Sequence, residues 1–198
     1  MALSPTSQTR RRIIEAAAAL ILNNGVERTT LDDMIEAAGV GKSQIYHYFA
    51  GKADLVEAVI AYQTERILSP DGHHRAPLDS WEAWRRWRDT VVRLQSGARC
   101  VGGCPLGSLA SELADIDEIA RVSLVHSFGQ WQSVFQRGIE AMRRHGLLTD
   151  EADPASLAVA ILALLQGGLL LCQTWKSTDL LERALDGAIL LLRHYAAA

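Results

Sequence analysis

Thr29 to Lys52, TTLDDMIEAAGVGKSQIYHYFAGK, is the stretch from which the rest of the chain can be read. Thr30 followed three residues later by Asp33 has the spacing of a capping box, in which the two residues satisfy each other's backbone N–H groups at a helix start. Leu31, Met34, Ile35 and Ala38 then recur at helical spacing, so one face of a short helix can pack inward. Gly39 tolerates the left-handed backbone that ends such a helix, and Val40 fills the corner behind it. A second short helix follows. Ile45 and Phe49, four apart, make its inward side, while Lys42, Ser43, Gln44, Tyr46, His47 and Tyr48 make its outward side. A helix, a tight glycine turn and a polar helix together form the arrangement that lays a recognition helix in the DNA major groove. Between Gly41 and Lys52 there is no Asp or Glu, which suits a surface that approaches phosphates. A helix that only faces water usually mixes both signs. On this pattern alone, an ordinary helical hairpin in an all-α protein is an equal rival.

Gly39-Val40, then Ile45-Tyr46-His47-Tyr48-Phe49, then Gly51-Lys52-Ala53-Asp54-Leu55 resembles the DNA-binding signature of TetR-type transcriptional repressors. The likeness is specific up to about Ile60 and looser beyond. It implies an all-α protein of about nine helices. A three-helix helix-turn-helix head is expected over residues 1–54, and a larger helical effector-binding and dimerisation domain over 55–198. Carried onto matching positions, the resemblance makes Lys42, Ser43 and Gln44 candidates for base edges. It makes Thr30, Tyr46, Tyr48 and Lys52 candidates for phosphates, which set the register of a head but carry no sequence information. His47 suits either task.

Composition limits the alternatives. A chain of 198 residues has room for a small and a larger domain, and 48% hydrophobic with 22% charged residues is ordinary for a soluble globular protein. The net charge of −3 excludes a general polyanion binder. Up to Val56, Arg10, Arg11, Arg12, Arg28, Lys42 and Lys52 are balanced by Glu15, Glu27, Asp32, Asp33, Glu36 and Asp54. Attraction to DNA must therefore come from the patches Arg10–Arg12 and Lys42–Lys52. Cys100, Cys104 and Cys172 have no disulfide-framework spacing, and the start of the chain lacks the apolar stretch of a secretory leader, so a cytoplasmic protein with reduced thiols is expected. The run Leu157 to Cys172 is broken by Gln166-Gly167-Gly168 and is shorter than the roughly 20 residues of a membrane span. It reads as a buried helix, with no membrane partner.

Taken in order, Met1 to Ser7 reads as an arm, and Gln8 to Asn24 as the first helix, with Gly25 as its stop. Arg10 to Arg12 fall in its opening turn, where the helix dipole disfavours cations, which fits either a phosphate partner or a solvated start. The helix from Gly51 ends near Ser69-Pro70-Asp71-Gly72. His73-His74 has no third ligand in view and reads as loop, not metal site. Trp81, Trp84, Val91 and Leu94 form a stripe that is either core or the wall of an apolar ligand pocket. GCPLGSLASEL, Gly103 to Leu113, is similar to a segment that borders the effector pocket in many TetR-type regulators. Cys104 stands near a helix N-terminus, a position that favours thiolate; it reads as a redox or electrophile sensor resolved by Cys100, or as a small packed thiol.

A long helix is expected over Ile116 to His145, with Ile119, Ala120, Leu124, Phe128, Trp131, Phe135, Ile139 and Met142 inward and His126, Gln130 and Ser133 on another face. Asp153-Pro154 opens a helix to Trp175 that is apolar on nearly every side, and a last helix covers 179–196. The two resemble the pair through which TetR-type repressors dimerise, where Gly167 and Gly168 would let helices approach closely.

The expected function is a dimeric, sequence-specific repressor, released from a palindromic double-stranded operator by a small apolar or aromatic effector. Candidates for the effector pocket are Trp81, Trp84, Cys104, Leu106, His126, Gln130, Trp131 and Trp175. No cofactor or metal is implied. Three alternatives remain. One is a thiol switch using Cys104. Another is a small helical enzyme, for which no nucleophile–base–orienter spacing is present. The third is a protein-binding adaptor, which would lack salt-dependent DNA affinity.

Overall fold

In a computed structural model, which describes residues 5–69 and 77–197, the chain is all-α. Nine helices lie among the described residues: α1 (Pro5–Asn24), α2 (Leu31–Ala38), α3 (Lys42–Tyr48), α4 (Lys52–Leu68), α5 (Trp81–Gly97), α6 (Pro105–Leu113), α7 (Glu118–Arg144), α8 (Pro154–Trp175) and α9 (Asp179–Arg193). The His73-His74 pair and residues 1–4 of the expected arm lie outside the described residues. α1 starts at Pro5, three residues before the expected Gln8, because proline's fixed φ suits a first helical position and its missing N–H has no helical partner to lose there.

Two compact units can be distinguished. The first runs to Glu65 and includes Pro105–Ser127; the second comprises Arg66–Cys104 and the chain from Phe128 on. The first therefore takes in more chain than residues 1–54. Its core holds Ile13 and Ala17 of α1, Met34 of α2, Ile45 of α3, Leu55 and Ile60 of α4, Leu106 of α6 and Leu124 of α7. Within this unit α4 and α7 also meet through polar groups. The Thr64 hydroxyl donates to Ser127 Oγ at 2.8 Å, and the Ser123 hydroxyl donates to Glu57 Oε2 at 2.8 Å.

In the second unit the Trp84 and Trp87 rings of α5 pack on each other and on Phe135 of α7, with centroids 5.2–5.8 Å apart. The α5 stripe is Ala83, Trp84, Trp87, Val91 and Gln95. Trp87 belongs to it, whereas Leu94, in the last turn beside exposed Arg93, Ser96 and Gly97, is 45% exposed. α8 and α9 form an antiparallel pair. A Cβ on Gly168 would stand 3.0 Å from Ala184 Cβ and from Leu181 Cδ1, so glycine is what permits their approach. Gly167, by contrast, faces open space. Arg88 ties α5 to α9 through Asp186 (2.9 Å) and Glu182 (3.1 Å). Burial among these carboxylates is partial, and the Asp186 hydrogen bond raises the guanidinium's already high pKa. The C-terminal end pairs with the α7–α8 loop by an isolated antiparallel bridge between Leu148 and Ala196, a feature without a sequence signal.

Two expectations for the later helices are corrected. α7 begins at Glu118, because the Asp117 carboxylate accepts the Ala120 N–H at 3.0 Å and caps the helix there. Ala120, Leu124, Ser127 and Trp131 fall within one arc at 100° per residue, and Ile119 stands off that arc, 69% exposed. α8, with 22 residues, is long and apolar enough to span a membrane, but it is not covered on all sides. One face packs on α9, and Val159, Leu170 and Trp175 are each more than half exposed.

Candidate nucleic-acid interface

The caps and turns of the α2–α3 segment are made by bonds between near neighbours. Thr30 has extended backbone and caps α2; its Oγ1 accepts the Asp33 N–H at 3.1 Å, and Asp33 Oδ2 accepts the Thr30 N–H at 2.8 Å. The Thr30 hydroxyl also donates to that carboxylate at 2.6 Å, and these bonds, the side-chain one first, hold the Asp33 carboxyl below its ordinary pKa. Gly39, at φ 61, closes α2 in the left-handed conformation, with its N–H directed to Glu36 O. Gly41 precedes α3, and its N–H donates to Gln44 Oε1 at 3.1 Å. After α3, the Ala50 N–H donates to Asp54 Oδ2 at 2.9 Å. This bond gives Asp54 of the Gly-Lys-Ala-Asp-Leu run a physical task.

Ile45 and Phe49 are buried and anchor α3, and Phe49 itself caps it. Lys42, Ser43, Gln44, Tyr46 and His47 are exposed on the same short helix, Tyr48 and Lys52 are half-buried, and Thr30 is exposed at the start of α2. The candidates for DNA contact therefore share one small region. The His47 and Tyr48 rings stand edge to face, 4.8 Å apart. Lys42 Nζ lies 3.4 Å from Asp32, with both side chains well exposed, a contact that costs little to exchange for a phosphate. Lys52 Nζ donates to Glu27 O at 3.5 Å. Of the basic cluster in α1, Arg10 stacks on the Phe49 ring at 5.2 Å and Arg11 pairs with Glu15 at 2.9 Å. Each thus has a partner within the protein.

This geometry coincides with similarity in sequence. Residues 13–59 match the bacterial regulatory proteins of the TetR family, and residues 81–187 match the C-terminal domain of LmrA/YxaF-like transcriptional regulators. The chain belongs to the TetR family. Its members are DNA-binding transcriptional regulators, not enzymes. An HTH-type transcriptional regulator in the lacX 3' region of Lactococcus lactis subsp. lactis is 30% identical over 90% of each chain. The HTH-type transcriptional regulator LmrA of Bacillus subtilis is 29% identical over 88% of this chain and 92% of its own. Among solved structures, a TetR-family regulator from Cytophaga hutchinsonii superposes over the full length of both chains with a TM-score of 0.82 at 21% identity, which shows a common fold.

The residues of this TetR-family chain expected around an effector are divided between the two units. Leu106 and His126 belong to the first unit, and Trp81, Trp84, Cys104, Gln130, Trp131 and Trp175 to the second. Trp84, Trp131 and Leu106 are core residues, Cys104 is buried, and His126, Gln130 and Trp175 are exposed. Trp81 is half-buried beneath Arg193, whose guanidinium carbon lies 5.1 Å from the ring. A groove of about 510 Å³ in the second unit is lined instead by Arg88, Asp89, Val92, Arg93, Ser96, Gly97, Thr178 and Glu182.

The three thiols are free and buried. Cys172 of α8 shares a side-chain hydrogen bond with Cys100. Burial, reinforced by the hydrogen bond with Cys100, pushes the Cys172 thiol up to about 12. Cys100 and the preceding Arg99 both have positive φ, 54° and 52°, and Lys176 Nζ donates to Cys100 O at 3.3 Å. The sequence contains both cysteines, but their separation of 72 positions carries no local pattern that would pair them.

Proposed function

We propose that this TetR-family protein is a homodimeric repressor acting in the cytoplasm, with a head of residues 1–54 that reads a palindromic operator and a larger domain, 55–198, that dimerises and binds effector. Two α3 helices would enter successive major grooves, so that the operator's symmetry mirrors that of the dimer. Lys42, Ser43 and Gln44 are assigned to base edges, Thr30, Tyr46, Tyr48 and Lys52 to phosphates, and His47 to either. The observation that carries this reading is the exposed, acid-free face of α3 over a buried Ile45 and Phe49. The exposed Val159, Leu170, Leu171, Trp175 and Leu190 of α8 and α9 support pairing through residues 154–175 and 179–196. Apolar surface of this kind is seldom left to water.

A small apolar or aromatic effector would release the operator by linkage. Binding the DNA-free conformation more tightly, it would weaken DNA binding by the same factor, for which 1–3 kcal/mol is typical. The buried polar residues among those described are Thr29, Gln63, Thr64, Gln95 and Ser127, none of them charged, which favours that ligand class. Burial of Cys104 gives the thiol-switch alternative no support.

The test is selection of bound duplexes from random DNA by the purified protein. A palindrome is expected. Lys52→Ala should weaken binding to all duplexes and lower the salt slope by about 1, whereas Gln44→Ala should cost about 1–3 kcal/mol and relax preference at one position of each half-site. Absence of any enriched sequence would count against operator reading. Release only by highly charged compounds would count against an apolar effector.

A further inference from the structure

α1 ends at Asn24, and Gly25 follows in the left-handed region at φ 84, its N–H donating to Ile21 O at 2.8 Å. This single bond to the carbonyl four residues back is the simpler left-handed helix end, which leaves the next N–H without a partner in the helix just ended. That buried N–H, of Val26, donates to Glu112 Oε2 of α6, at 2.6 Å, a residue 86 positions away. The approach is close. A Cβ on Gly25 would lie 2.9 Å from Glu112 Oε2 and 3.4 Å from its carboxyl carbon. An anionic group at a helix C-terminus opposes the helix dipole, so general electrostatics does not place it there.

The turn gripped by this carboxylate is the base of the DNA-reading segment. Val26 O accepts the Thr29 N–H at 3.3 Å, and the fully buried Thr29 donates its hydroxyl to Gly25 O at 2.6 Å. Thr30 then caps α2, and Glu27 O receives Lys52 Nζ. We propose that Glu112 is a positioning residue for DNA binding: α6 sets the α1–α2 turn, and with it α2, α3 and the Lys52 end of α4, through the Glu112–Val26 bond. The inference rests on α3 being the DNA-reading helix. It goes beyond that reading by making a residue far outside the helix-turn-helix a requirement for its geometry.

Glu112→Ala and Glu112→Gln test it in the full-length protein, with Gly25→Ala as an independent push on the same contact. In DNA-free protein, amide exchange over Gly25–Thr30 should quicken about tenfold in Glu112→Ala, equivalent to about 1.4 kcal/mol, with α8 and α9 unchanged. Glu112→Gln, whose amide oxygen still accepts a hydrogen bond, should stay near the parent rate. Against a duplex selected by the parent protein, Glu112→Ala and Gly25→Ala should each lose about tenfold in affinity while binding to random duplex changes less than twofold. Their double variant should lose little more than either alone. Unchanged exchange in Glu112→Ala would overturn the proposal whatever the DNA result. So would equal loss on selected and random duplexes, a Gln variant as impaired as the Ala variant, or a loss of helicity throughout the chain. A failure of operator selection leaves the exchange result to decide, so the two readings fail separately.

Discussion

In the α2–α3 segment the caps and turns are closed by bonds between residues three or four apart: Thr30 with Asp33, Gly41 with Gln44, Ala50 with Asp54. In the α5–α8–α9 body the deciding contacts join distant positions: Trp84 with Phe135, Arg88 with Asp186, Gly168 with Ala184 and Leu181. The surfaces differ in the same way. The head exposes donors and hydroxyls on a helix of seven residues, while α8 and α9 expose Val159, Leu170, Trp175 and Leu190. A short helix with few inward side chains is stabilised at its ends, which leaves its outward residues free to be chosen for DNA. A long pair of helices is stabilised by packing, and its outward apolar residues call for a second surface.

The largest effect should come from the body's aromatic core. Trp84 is fully buried between Trp87 and Phe135, so Trp84→Ala should cost about 3–5 kcal/mol in urea unfolding. If the two regions are as independent as their bonding suggests, exchange over Leu31–Tyr48 should slow or quicken by less than that over α5. Equal loss in both would break the contrast.

Next in size is the apolar face. Leu190 is 68% exposed on α9. Leu190→Glu should turn a dimer into a monomer by sedimentation, leave the helicity intact, and weaken affinity for a two-half-site duplex at least 100-fold, about 2.7 kcal/mol. An unaltered dimer would remove α9 from the interface.

The caps of the head should give smaller changes. Thr30→Ala removes an N-cap bond and should cost about 1 kcal/mol. Asp33 has its folded-state carboxyl pKa lowered by Thr30, so its contribution is complete above the unfolded value of about 3.9 and is lost as pH falls through the lower folded value. Acid unfolding followed in the parent and in Thr30→Ala should therefore diverge above pH 4 and converge at lower pH. Parallel curves would show that the Asp33 carboxylate contributes nothing through this cap.

The same contrast explains what could be read from the sequence. Thr30–Asp33, Gly39, Asp153-Pro154 and the inward Ile45 are local signals, and each marks an element where the structure has one. The outward residues of α3 were legible because everything between Gly41 and Lys52 lacks an acid. Trp87 could have been found by completing the helical period from Trp84 to Val91. Glu112 could not, since nothing near it in sequence distinguishes a carboxylate that faces water from one that holds Val26. The contact of Cys100 with Cys172 was equally hidden, because the two stand 72 positions apart with no local pattern between them.

The smallest expected effect follows from that contact. A thiol pushed up to about 12 is almost wholly protonated at pH 8, and the thiolate is the nucleophile. Cys172 lies at the α8 face turned inward, with no exposed surface, so reagent access is closed as well. Native protein treated with iodoacetamide at pH 8 should show no alkylation of Cys172 by peptide mass spectrometry, and only slow alkylation of Cys104. In denaturant all three cysteines should react. Cys100→Ala removes both contributions of Cys100 to the raised pKa but not burial, and should leave Cys172 protected. Rapid modification of native Cys104, with loss of DNA binding in step, would instead revive the thiol switch and place part of the regulation outside the packed body.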